Sequence, residues 1–159
     1  MLQLSTPQPA RQANPTIKAQ ALAYLIFERP DLAAAETFLT DFGLRIALRD
    51  SDARYFRGTG SAPFCYVVRH AEQARFVGMG FRVANRADLA KLAALPGASK
   101  IRPLNAPGGG EVVSLTDPAG FTVEAVFGQT PVAAIPHRQP LPANARRMQR
   151  RKSSSWVMR

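Results

Sequence analysis

A chain of 159 residues, 46% of them hydrophobic, is long enough for one globular domain with a sizeable core. Its single cysteine excludes an intrachain disulfide, and no apolar run nears the roughly 20 residues of a membrane span. The net charge of +10 is uneven: residues 1–128 carry all 11 acidic and 14 of the 21 basic residues, while 129–159 carry the remaining seven Lys/Arg and no acid, so the high pI describes the tail and does not class the domain as a nucleic-acid binder.

Residues 1–18 are polar, with no apolar stretch of signal-peptide length, and read as a flexible arm of a cytoplasmic protein. The first periodic segment, Ala21–Phe27, is short and apolar and suits a strand buried on both faces. Pro30-Asp31 leads into a helix over Leu32–Phe42, where Leu32, Ala35, Phe38, Leu39 and Phe42 share a stripe. Asp31 is its expected N-cap and Gly43 its expected stop. Three strands are predicted next, Leu44–Leu48, Arg54–Arg57 and Phe64–Val68, with turns at Asp50-Ser-Asp52 and Gly58-Thr-Gly60.

The order then recurs. Arg75–Val83 reads as a strand, Asn85–Leu95 as a helix ended by Pro96-Gly97, and Lys100–Leu104, Glu111–Leu115 and Phe121–Phe127 as three strands. In both halves Asp-Leu-Ala, at 31–33 and 88–90, opens the helix. A unit that occurs twice is more specific than any one propensity. It predicts an α+β domain over 19–128 built from two βαβββ modules, 19–70 and 75–128. Residues 129–159 read as a Pro-rich linker followed by a basic tail.

Two stretches carry a family resemblance. Leu22-Ala-Tyr-Leu-Ile-Phe-Glu-Arg-Pro-Asp-Leu32 with Phe42-Gly43-Leu44 resembles the opening strand and helix of a vicinal-oxygen-chelate module. Val113-Ser-Leu-Thr-Asp-Pro-Ala-Gly-Phe-Thr-Val-Glu-Ala-Val126 is similar to that superfamily's last hairpin. The superfamily holds glyoxalase, bleomycin-resistance proteins and extradiol dioxygenases, and it implies a curved mixed sheet enclosing a cleft. His137-Arg-Gln-Pro-Leu-Pro-Ala-Asn144 resembles the linker after the first domain of two-domain extradiol dioxygenases, enzymes of aromatic-compound degradation in which the second domain holds the metal. The chain therefore looks like a lone first domain.

The resemblance implies a divalent metal, Fe(II) or Mn(II), held by two His and one Glu. Tyr24 stands at the first His position, Gly78 at the second, and only Glu124 matches the carboxylate. Strand alternation puts Leu22, Tyr24 and Ile26 on one face, as it does Gly78, Gly80 and Arg82, and Thr122, Glu124 and Val126. These faces are expected to line the cleft, with Glu124 either a residual ligand or a rim carboxylate paired with Arg82 or solvent. Tyr66 and His70 share a strand face and complete the candidate set, His70 as a base or ligand or as a surface strand-end residue. Gly108-Gly-Gly110 lacks the Lys-Ser/Thr of a phosphate loop and reads as a turn. The leading expectation is a metal-free module with no cofactor, binding a small molecule, with a small aromatic as the candidate ligand, or serving structure, and forming a homodimer. The alternatives are an active metal-dependent dioxygenase or lyase, and nucleic-acid binding through Arg146–Lys152.

Overall fold

The structure, a computed structural model, describes residues 13–136; the arm 1–12, His137 with its linker and the basic run Arg146–Lys152 lie outside the described residues. The first half supplies β1 (Ala21–Arg29), α1 (Leu32–Asp41), β2 (Arg45–Arg49), β3 (Ala53–Arg57) and β4 (Tyr66–His70). The second supplies β5 (Arg75–Arg82), α2 (Arg86–Ala93), β6 (Arg102–Pro103), β7 (Glu111–Thr116) and β8 (Thr122–Phe127).

Local chemistry accounts for the boundaries. Asp31 Oδ1 accepts from the amides of Ala33 and Ala34, both at 2.9 Å, satisfying two of the free N–H groups at the start of α1. Gly43 ends that helix at φ 106°, a conformation that favours glycine, and lets the Leu44 amide close back on the Leu39 carbonyl at 3.0 Å. Asn85 caps α2 through the Asp88 amide. Two strands differ from expectation. The segment expected at Phe64–Val68 pairs over Tyr66–His70, while Phe64 turns into the core. The strand expected over Lys100–Leu104 shrinks to Arg102–Pro103, because Pro103 has no N–H to give a ladder.

The eight strands form one curved mixed sheet in the order β2-β3-β4-β1-β5-β8-β7-β6. The two halves meet at its centre, where β1 and β5 run antiparallel; β1 and β4 are parallel, as are β5 and β8. Helix α1 covers Phe56 and Val68 through Leu32 and Leu39, and α2 covers Val113 and Ala125 through Leu89 and Leu92. The other face gathers Tyr24, Ile26, Tyr55, Phe64, Val67, Val112 and Val126. This sheet with two helices on one face is the expected α+β architecture.

Between β1 and β5 the register slips twice. Ala23 is an extra residue on β1 between the pairs Leu22↔Phe81 and Tyr24↔Gly80, and Val77 is an extra residue on β5 between Ile26↔Gly78 and Phe27↔Phe76. Each slip breaks the two-residue alternation on which the face assignments depend.

Candidate functional site

Residues Tyr24, Gly80 and Glu124 lie side by side across β1, β5 and β8, since Tyr24 pairs with Gly80 and Gly80 with Glu124. The Tyr24 hydroxyl donates to Glu124 Oε2 at 2.7 Å. Glu124 Oε1 accepts from Ser114 Oγ and from Arg102 Nη2, both at 3.0 Å, and Arg102 also donates to Ser114 Oγ at 3.1 Å. Tyr24 and Glu124 are 2% and 3% exposed, so a carboxylate sits in the core with three donors around it. The Tyr24 ring stacks on Phe64, with centroids 4.5 Å apart. Burial first, and then the neighbouring Glu124 charge, hold the Tyr24 phenol far above its ordinary value, so it stays a neutral donor.

Only Tyr24 and Glu124 of the five sequence candidates come together. Tyr66 and His70 project from the opposite face: Tyr66 stacks flat on Phe27 at 4.7 Å beside the α1 cluster, and His70 is exposed at the strand end. Neither faces the cleft, because Val67 and Arg69 take the inward positions of β4. Arg82 lines a separate cavity, and the partner of Glu124 is Arg102. Leu22, displaced by the slip at Ala23, pairs with Phe81 and is 54% exposed.

The two glycines also differ from expectation. A Cβ at Gly78 would lie 1.8 Å from the Thr122 carbonyl oxygen, so this position at the Val77 slip admits no side chain without parting β5 from β8. A Cβ at Gly80 would lie 2.5 Å from the Tyr24 ring, so the space Gly80 leaves open is filled by that ring.

What remains of the cleft is a polar cavity of about 80 Å³ bounded by Tyr24, Tyr55, Arg69, Arg102, Asn105 and Glu124. Small-molecule pockets usually measure about 300–1,000 Å³, so this remnant is too small for a catechol together with a metal. The donor set does not fit a divalent cation either. Glu124 is the sole carboxylate there, the Tyr24 phenol is neutral, and the half-exposed Arg102 guanidinium already occupies the carboxylate and would repel a dication. Among the described residues no three His, Cys, Asp or Glu side chains cluster as a metal site.

Ser114 and Arg102 were missed from sequence. Ser114 had a signal: the Asp117–Gly120 turn, pinned by Asp117 Oδ1 accepting from the amides of Ala119 and Phe121, sets the hairpin register that places Ser114 opposite Glu124. Arg102 had none, since it lies on a two-residue edge strand with no periodicity.

No family model and no curated protein matches the chain. Solved structures do. An Mn(II)-bound glyoxalase from Novosphingobium aromaticivorans aligns with a TM-score of 0.69 and 21% identity, over 77% of this chain and 44% of its own. An extradiol ring-cleaving dioxygenase from B. fuscum gives 0.64 and 25%, over 77% and 36%. Homoprotocatechuate 2,3-dioxygenase from Brevibacterium fuscum, in an anaerobic complex with 3,4-dihydroxyphenylacetate, gives 0.67 and 24%, over 80% and 42%. The chain spans less than half the length of each of these three. It has the fold of the vicinal-oxygen-chelate superfamily, shared with this glyoxalase and these extradiol dioxygenases.

Proposed function

We propose that the chain is a metal-free, non-catalytic module related to the first domain of extradiol dioxygenases, serving a cytoplasmic protein as a scaffold or small-molecule binder. The observation that carries this reading is the closed cluster of Tyr24, Ser114 and Arg102 on Glu124. A general role in binding catechol would need open positions beside a cation, and here the phenol and the guanidinium fill them. No helix among the described residues is long and apolar enough to cross a membrane.

Metal analysis of protein purified without chelator tests the reading. Sub-stoichiometric iron, manganese and zinc are expected, together with no oxygen uptake on a catechol such as dihydroxybiphenyl when Fe(II) is added. Near-stoichiometric metal, or turnover lost on Glu124→Gln, would overturn it in favour of an active metal-dependent dioxygenase or lyase. Salt-dependent DNA binding that requires residues 146–159 would favour the nucleic-acid reading instead.

A further inference from the structure

A second cavity, of about 560 Å³, lies beyond the Tyr24–Glu124 pair and shares only Phe64 with the cleft remnant. We propose that it is a binding site for a small organic monocarboxylate with an apolar body. The site does not depend on whether Glu124 ever meets a metal.

Four observations converge. The volume lies within the ordinary range of small-molecule pockets, about 300–1,000 Å³. The walls are largely apolar, with Leu22, Phe64, Val83 and Val126 among them. Leu22 is turned out of the sheet's inner face by the slip at Ala23 and would gain cover from a ligand. The polar side chains are few, Gln20, Ser61, Arg82 and Gln129, and Arg82 carries the one charge among them. Arg82 lines the cavity with its guanidinium free of any hydrogen bond or ion pair among the described residues, and no Asp or Glu lines it. An unopposed guanidinium on a largely apolar wall calls for an acceptor that carries negative charge on an apolar body, and a monocarboxylate is the simplest such group.

The wall is also preformed. The segment after β8 is tied down where it borders the cavity: the Thr130 amide donates to Gly108 O at 2.8 Å and the Val132 amide to Ser61 O at 3.0 Å. Arg57 Nη2 clamps the two sides by donating to the carbonyls of Gly60 at 3.0 Å and Ala133 at 2.6 Å. A ligand would therefore find an ordered site, with little loop entropy left to lose.

Amide chemical-shift mapping on the full chain tests this with phenylbutyrate and its uncharged analogue phenylbutanol as probes. Phenylbutyrate is expected to move the amides of Leu22, Ser61, Arg82 and Gln129 and to bind at least roughly tenfold more tightly than the alcohol, the difference of one charge-assisted bond. Arg82→Gln should remove that preference while leaving the melting temperature unchanged, and Ala84→Trp, at an exposed residue on the cavity wall, should block both probes. Equal binding of the two probes, shifts confined to other residues, or no shifts at millimolar probe would overturn the proposal. So would contacts in the free protein between this cavity and residues 1–12 or 137–159, since the chain's own end would then be the occupant.

Discussion

Replacing Tyr24 with Phe takes one oxygen from the middle of the cleft and keeps the ring stacked on Phe64. Glu124 Oε2 then loses its 2.7 Å donor while Oε1 keeps Arg102 and Ser114. A hydrogen bond to a charged group contributes about 1.5–3 kcal/mol, and the 3% exposure of Glu124 leaves water little access to replace it. A loss of about 2 kcal/mol is expected, or roughly 6–10 °C in Tm for a domain of this size. Urea unfolding at neutral pH measures it as a lower midpoint with an unchanged slope. The double variant Tyr24→Phe with Glu124→Leu should be less destabilised than the two single changes summed, because the buried charge leaves with its donor and Arg102, about half exposed, turns to water. A Tyr24→Phe protein within about 0.5 kcal/mol of the parent would refute the reasoning, since the phenol would then not be supporting a buried carboxylate.

Three further outcomes are expected. Burial raises the phenols of Tyr24, Tyr55 and Tyr66 alike; a folded pKa above the unfolded value of 10.0 leaves stability intact below about pH 10 and erodes it above, so phenolate absorbance should appear later in the native chain than in denaturant, with Tyr24 ionising only on unfolding. Gly78→Ala should destabilise more than Gly80→Ala in chemical denaturation, because the first Cβ strikes the Thr122 backbone and the second strikes a ring that can tilt. For the assembly we propose a two-fold homodimer, with Phe38 on α1 and Phe42 at its C-cap, 67% and 76% exposed, as apolar surface to cover. Light scattering should give near twice the 17.3 kDa of one chain, and a monomer throughout the micromolar range would remove the dimer.

The contrast between fold and site has a physical cause. Strand and helix periods, the Asp31 cap, the Gly43 stop and the Asp117–Gly120 turn are local, and local signals survive in the residues themselves. A site is assembled across strands, so it inherits every register error. Alternation assigned Tyr24 and Glu124 to the inner face correctly, yet one extra residue, Ala23, moved Leu22 off it and another, Val77, turned Gly78 into the β8 backbone. The outer position of Tyr66 and His70 follows from the pairing of β4 with β1, which aligns Tyr66 with Leu25 rather than with Tyr24; no local pattern carries that choice. Arg102 is the clearest case, because an edge residue beside a proline becomes the counter-charge of a core carboxylate only through the β6–β7–β8 order. The resemblance pointed to Glu124 as the place where a metal would sit. The neighbours that occupy it belong to the sheet order and its register, which is why the closed cluster could not be read from Glu124 and Tyr24 alone.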